Sequence, residues 1–242
     1  MTPPALSVVI PAYNEASRLP PTLKRISAHL AGLSHEILVV DDGSNDGTAE
    51  AARAVGCPGL QVIRTELNRG KGHAVRRGML LARGDRRLMT DADLSTPIED
   101  LERLQQRLDE GYDVAIGSRA LPGADVQVHQ PWYRENAGRA FNLMVRALAL
   151  PDLHDTQCGF KLWDGVAAQE AFGATRLDGF CFDVEALYLA RKRGRRIVEV
   201  PVTWRNDVGT RVGALRGMTA FLDLVRIRVN DWRGAYETRQ LL

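Results

Sequence analysis

Two aspartates stand one residue apart in the stretch MTDADLSTP, residues 89–97, just after a short apolar run. In extended chain, side chains at i and i+2 point the same way, so Asp91 and Asp93 can converge on one point beyond a strand end. Each carboxylate makes its neighbour harder to ionise, and the pair therefore calls for a cation. Mg2+ or Mn2+ suits such a site, taking oxygen from one or two carboxylates and filling its other positions with substrate phosphates and water. Alone, the triplet is a weak signal, because Asp is also a common residue of solvated turns.

Other stretches invite competing chemistry. Asp42, Ser44, Asp46 and Gly47 mimic the start of a calcium loop, but its twelfth position is Arg53, which cannot supply the bidentate carboxylate. Gly70-Lys71-Gly72 has no Ser or Thr after the lysine, so a P-loop is excluded, and no GxGxxG follows the first apolar run. The five histidines show no metal-ligand spacing. An aspartyl-phosphate phosphatase, with Asp-x-Asp as nucleophile and acid, stays open as a reading from a different class. Against it, that motif usually closes the first strand, and here it closes the fourth.

The elements that must position these residues follow from the apolar pattern. Val- and Ile-rich runs at Leu6–Ile10, Glu36–Val40, Leu60–Ile63, Arg87–Thr90 and Asp113–Gly117 read as strands. Between them, Arg18–Leu30, Thr48–Ala54, Gly72–Arg83 and Ile98–Leu108 carry helical spacing, with Pro97 placed for a first turn. This alternation predicts an α/β fold with parallel strands and crossover helices, in which ligands bind outside the carboxyl ends of the strands. PAYNE (Pro11–Glu15), DDGSNDGT (Asp41–Thr48), TDAD (Thr90–Asp93) and GSR (Gly117–Arg119) all fall there. Beyond residue 120 the pattern loosens into a mixed α+β half. It holds a helix at Glu135–Leu148, the segment DTQCGFKLW, a helix near Val184–Lys192 and a strand at Ile197–Val202. Phe160 and Trp163 read as core.

The chain has 242 residues, 45% hydrophobic and 26% charged, and a net charge of +2, which favours one globular domain over a nucleic-acid-binding tail. Three scattered cysteines indicate neither a disulfide framework nor zinc and fit a reducing cytoplasm. No signal peptide or transmembrane run is expected, so any membrane contact is peripheral. Near the C-terminus, residues 213–234 place Leu215, Met218, Leu222, Val225, Val229 and Trp232 on one helical stripe, with Arg216, Arg226, Arg228 and Arg233 around it. Such a helix either packs that stripe on the core or lies on an anionic membrane surface.

Taken in order, PAYNE, EILVVDDGSNDGT, NRGKGHAVRRGM, MTDADLSTP, AIGSR and DTQCGFKLW resemble the family 2 glycosyltransferases of GT-A fold, over about residues 6–205. Within them, NRGKG, DTQCGFK and FDVE are most similar to the dolichyl-phosphate glucosyltransferase and polyprenyl-phosphate glycosyltransferase group. The resemblance implies a nucleotide-sugar-binding half over 6–119 and an acceptor-side half over 120–205. It implies that Pro11, Ala12, Tyr13 and Glu15 wall the base and ribose pocket and that Asp42, with Asp41, meets the uracil edge. Asp91, Ala92 and Asp93 then form the diphosphate-metal segment, Lys71 reaches toward the donor, and Arg119 and Arg134 hold the acceptor phosphate. Asp155 matches a base or sugar-orienting position. Ser95 stands where mannosyl relatives often carry Gln, which leaves a third protein ligand to the metal without a candidate.

The implied reaction is inverting transfer of a hexose, glucose from UDP-glucose first among the choices, to a polyprenyl or dolichyl-type monophosphate. GDP-mannose as donor, a soluble acceptor, or a module that binds nucleotide sugar without turnover remain as alternatives. The bland readings are turn residues for Tyr13, Asp41 and Asp42, a structural salt bridge for Arg119 and Arg134, and solvated loop for Lys71 and Asp155.

Overall fold

The computed structural model describes residues 2–127, 132–205 and 214–237, with the side chains of 132–137, 139 and 214–219 outside the description. Its centre is a seven-stranded sheet in the order β3-β2-β1-β4-β7-β5-β8. The strands are β1 (Leu6–Ala12), β2 (His35–Asp41), β3 (Leu60–Arg64), β4 (Arg86–Met89), β5 (Val114–Ser118), β7 (Lys161–Asp164) and β8 (Ile197–Pro201). A two-stranded parallel ribbon, β6 (Asp125–Val126) with β9 (Thr203–Trp204), stands apart from it.

The expected strands and crossover helices are present: α1 (Leu19–His29), α2 (Thr48–Ala54), α3 (Lys71–Leu81) and α4 (Leu101–Asp109), the last preceded by a 3-10 turn at Ile98–Asp100 that Pro97 opens. Along β1 the side chains alternate: Leu6, Val8 and Ile10 pack with Leu19, Leu23 and Ile26 on one face, and Val9 packs with Val75 and Met79 on the other. Both faces are thus covered, as a parallel sheet requires. β1 runs two residues further than expected, so Pro11 and Ala12 are buried strand residues paired with Val40 and Asp41.

In the second half, α5 (Trp132–Leu148), α7 (Phe182–Lys192) and β8 match expectation, and α6 (Gly165–Ala174) is an element that sequence reading missed. So is β7, which runs antiparallel between β4 and β5 with Lys161 opposite both Met89 and Ile116. The reversal has a consequence for position. The residues just before Lys161 emerge beside the carboxyl ends of β4 and β5, and the DTQCGF segment therefore reaches the same edge as TDAD and GSR.

The last helix, α8 (Ala214–Trp232), bears on the two readings of its apolar stripe. It packs through Ala220, Leu224 and Ile227, with Phe221 edge-on to Phe141 of α5. Leu222, Val225, Val229 and Trp232 face outward instead, Trp232 being 86% exposed. Of the two readings of this stripe, packing on the core is not met by these four residues, and the buried side of the helix sets Asp223 near Gly179 and Cys181. Leu215, Arg216 and Met218 have side chains outside the description.

Candidate active site

Sheet order changes direction at β1, with β2 and β3 on one side and β4 on the other, and the site gathers at the carboxyl ends of β1 and β4. Two loops are stitched together there. After β1, the Asn14 N–H donates to Ser44 Oγ at 2.9 Å, Glu15 N–H to Thr48 Oγ1 at 2.9 Å and Ala16 N–H to Asp46 Oδ2 at 3.1 Å. Asn14 takes φ of 55° to do so. Tyr13 is 43% exposed at this edge of the sheet. Glu15 is held by Arg18 at 2.6 and 2.7 Å, and its carboxyl is raised, chiefly by burial, with Asp93 and Asp46 adding repulsion against the Arg18 pairing.

Asp41 and Asp42 are both buried, and their carboxylates work inward. Asp41 Oδ1 accepts the Ser44 N–H at 3.0 Å. Asp42 accepts the Arg69 N–H at 3.1 Å, the Gly70 N–H at 2.7 Å and the Thr65 hydroxyl at 3.2 Å, which pins the 65–70 loop against Gly43. That loop delivers Lys71 at the first turn of α3. Gly70 and Gly72 permit the close approach to 177–179, where a Cβ at Gly72 would lie 2.7 Å from the Leu177 carbonyl.

Lys71 Nζ meets Asp91 Oδ1 at 2.7 Å, with the side chains 28% and 33% exposed. Burial pushes the Asp91 carboxyl up, but Lys71, Lys161 and Arg119 together outweigh it and hold the group below the ordinary carboxylate range. Asp93 Oδ1 accepts the Ser95 N–H at 3.0 Å across a turn in which Leu94 has φ of 50°. Ala92 is buried between them, and its carbonyl accepts from Thr22 at 2.8 Å.

Arg119 and Asp155 face one another. The guanidinium donates to both carboxylate oxygens, at 2.7 and 2.9 Å, and the Arg119 backbone N–H adds a third bond at 3.0 Å. Burial works against charge on both, but the pairing lowers the Asp155 carboxyl and raises Arg119. Asp155 is therefore a partner for Arg119 and has no disposition to take up a proton near neutrality. Arg134 lies in the first turn of α5, and its side chain is outside the described residues.

Three residues escaped the sequence reading. Gly159 sits against Asp91: a Cβ there would overlap the carboxylate, 2.5 Å from Cγ and 2.9 Å from Oδ1. Lys161, 1% exposed, donates to the Cys158 carbonyl at 2.5 Å and to Asp183 Oδ2 at 3.1 Å, tying DTQCGFK to FDVE. Trp204 lies under Arg119, 5.2 Å from guanidinium carbon to ring centroid. A signal existed for Lys161, since only four of the 32 basic residues are lysines and it is one of them.

The carboxylates fit a divalent ion in one specific respect: Asp91 already holds a cation, the Lys71 ammonium, at 2.7 Å. Among the described residues no group of three or more His, Cys, Asp or Glu side chains is placed to enclose a metal.

Comparison with known proteins bears on the same residues. The family model described as glycosyl transferase family 2 matches residues 7–162. Dolichyl-phosphate beta-glucosyltransferases are similar over nearly the whole chain. The Mus musculus protein is 35% identical, covering 97% of this chain and 78% of its own length, and the Saccharomyces cerevisiae protein is 33% identical, covering 96% and 76%. Among solved structures, M. tuberculosis glucosyl-3-phosphoglycerate synthase superposes with TM-score 0.69 at 21% identity, over 93% of this chain and 80% of that one. Mannosyl-3-phosphoglycerate synthase from Rubrobacter xylanophilus gives 0.68 at 20%, over 99% and 77%. The M. tuberculosis enzyme has also been crystallised with Mn2+, UDP and glucosyl-3-phosphoglycerate. The fold is the GT-A fold, and the chain is a glycosyltransferase belonging to family 2.

Proposed function

We propose that this enzyme transfers glucose from UDP-glucose to the phosphate of a polyprenyl or dolichyl-type lipid, with inversion at the anomeric carbon. One observation carries the reading: the Lys71-Asp91 pair and the Asp155-held Arg119 share one edge of the sheet, close enough for Arg119 to help keep Asp91 ionised. A donor diphosphate at the first and an acceptor phosphate at the second would face each other across the sugar. The names of the relatives, beta-glucosyltransferases acting on dolichyl phosphate, support the acceptor and the hexose.

The roles follow from the chemistry. An acceptor phosphate oxygen is already anionic, so it needs orientation and charge screening by Arg119 and Arg134 rather than a base. Its bond to the anomeric carbon forms as the bond from that carbon to the UDP oxygen breaks, and no proton moves. Lys71 exchanges Asp91 for the leaving diphosphate, while Tyr13 and Glu15 border the nucleoside. Asp93, with Asp91, would hold Mg2+ or Mn2+, which supplies Lewis-acid neutralisation of charge on the leaving diphosphate.

A lipid acceptor requires access to a membrane, yet no helix among the described residues is long and apolar enough to cross one. The outward stripe of α8, Leu222, Val225, Val229 and Trp232, offers a peripheral contact, with Arg233 exposed beside it for anionic headgroups at the cytoplasmic face, and Arg226 exposed but paired with Asp223 at 2.8 Å. Arg228 contributes less, because it bonds the Tyr188 hydroxyl at 2.7 Å and stacks on that ring. The contact is tested by flotation with phosphatidylglycerol-containing vesicles, and loss of binding in W232E is the expected result.

The deciding assay incubates labelled UDP-glucose or GDP-mannose with polyprenyl phosphate and Mg2+ or Mn2+, then extracts lipid. Organic-soluble label from UDP-glucose, abolished in D93N with the circular dichroism spectrum retained, is expected. Release of inorganic phosphate with metallofluoride inhibition would support the phosphatase instead, and binding without turnover a non-catalytic module.

A further inference from the structure

Arg119 is held on one edge and one face, and two residues behind that arrangement, Trp204 and Glu199, have no part in the reading above. Its Nε and Nη2 are bound to Asp155, while its face lies 5.2 Å from the Trp204 ring centroid. Asp155 is fixed in turn from β8. The Asp155 N–H donates to Glu199 Oε1 at 2.9 Å, and the His154 N–H donates to Glu199 Oε2 at 2.8 Å. Glu199 pairs with Ile116 in the β5-β8 ladder and is 7% exposed at its side chain, so its position is set by the sheet. Trp204 is set by the β6-β9 ribbon, and Asp100 accepts the neighbouring Thr203 N–H at 2.8 Å. Among the described residues, nothing engages the Nη1 side of Arg119.

We infer that Trp204 and Glu199 are positioning residues for the acceptor phosphate, acting through Arg119. The inference rests on the proposed lipid-phosphate acceptor. An arginine side chain free in water loses rotamer freedom when it grips an anion, and that cost falls when the fork is held in place beforehand. Here Asp155 takes one edge, Trp204 covers a face against water, and the Nη1 edge is left as the donor surface for phosphate. Glu199 keeps the Asp155 carboxylate from following Arg119 outward, because both its oxygens hold the backbone of that loop. The ribbon β6-β9 gains a purpose in this arrangement: it carries the aromatic face.

The test is steady-state kinetics with a short-chain polyprenyl phosphate and UDP-glucose. W204L is expected to raise the acceptor KM about tenfold, with the donor KM and kcat within about twofold, and W204F to stay within about threefold of wild type because it keeps a ring. E199Q is expected to raise the same KM about threefold by loosening one of its backbone bonds. The Arg119 Nε–H resonance, shifted by the indole ring current, should move in W204L without substrate present. An unchanged acceptor KM in W204L, an equal rise in both KM values, or W204F as impaired as W204L would overturn the inference while leaving lipid glucosylation standing. Wild-type protein that transfers nothing to lipid phosphate removes the functional reading itself, and the resonance shift still reports whether Trp204 holds Arg119.

Discussion

Replacing Gly159 with Ala probes the active site through a single methyl group. Gly159 does not occupy the left-handed region, so its backbone accepts Ala without conformational strain. The whole perturbation falls on its neighbour: the new Cβ would sit 2.5 Å from Asp91 Cγ. Carbon atoms pack at roughly 3.5–4.0 Å, so the carboxylate must retreat by roughly 1 Å or more. That displacement breaks the 2.7 Å contact with Lys71. A misplacement of this size costs about 10²-fold in kcat/KM, or about 2.7 kcal/mol of transition-state stabilisation. The fold should lose little, about 1 kcal/mol or less, because Asp91 can move toward solvent. Lipid-extracted product measured against UDP-glucose concentration reads the first quantity and urea unfolding the second. G159A should also be markedly non-additive with K71M, since both act on one carboxylate. Wild-type kcat/KM in G159A would refute the placement of Asp91 in the donor site; a large loss of stability would show that the methyl group is accommodated by the fold instead.

Other outcomes follow from the same geometry. D42A should destabilise the protein by about 1–3 kcal/mol in urea unfolding, because the Arg69 and Gly70 N–H groups and the Thr65 hydroxyl lose a buried acceptor. It should also lower activity, since the loop they hold delivers Lys71. D155N should raise the acceptor KM and leave no pH-sensitive step that requires a base, measured as an unaltered neutral pH profile of kcat. Asp155 is depressed in the folded protein, so its stabilising contribution is full above the unfolded value of about 3.9 and is lost as pH falls through the lower folded value. The stability gap between wild type and D155N should therefore be constant from pH 7 to about pH 5 and shrink at more acid pH, as urea midpoints would show.

What could be read from the sequence was what repeats. The β-α alternation from Leu6 to Ser118 leaves a periodic apolar signal on both faces of the sheet, so the strands, their direction and the edge bearing PAYNE and TDAD followed from pattern alone. Elements with no period were not legible. β7 is four residues, KLWD, and its first residue is a lysine, a poor advertisement for the middle of a sheet. Only the folded chain shows that the ammonium is satisfied by the nearby Cys158 carbonyl and by Asp183, 22 residues away. For α8 the pattern left two placements open, and only the fold shows that Ala220, Leu224 and Ile227 face in while Leu222, Val225, Val229 and Trp232 face out. Period measures amphipathicity but not which neighbour waits on each side.

The site was legible as a set of motifs but not as a set of pairings. Asp91 and Asp93 were expected to share a cation, and in the structure Asp91 holds Lys71 while Asp93 turns to the Ser95 N–H. Arg119 and Asp155 looked like independent candidates for phosphate and proton, and they are one unit. The clue lay in residue type. In a chain whose basic residues are nearly all arginine, Lys71 and Lys161 are two of four lysines, and both meet buried or half-buried carboxylates at the site. A compact ammonium serves there because it fits between Cys158 and Asp183, or beside Asp91 under Gly159, and can turn from one oxygen to another. Arg119 needs the reverse property, a planar fork that can be locked on one edge by Asp155, covered on a face by Trp204, and still donate from what remains. On this argument K71R and R119K both keep the charge and should both fail: the first through bulk against Asp91, the second through loss of the locked edge.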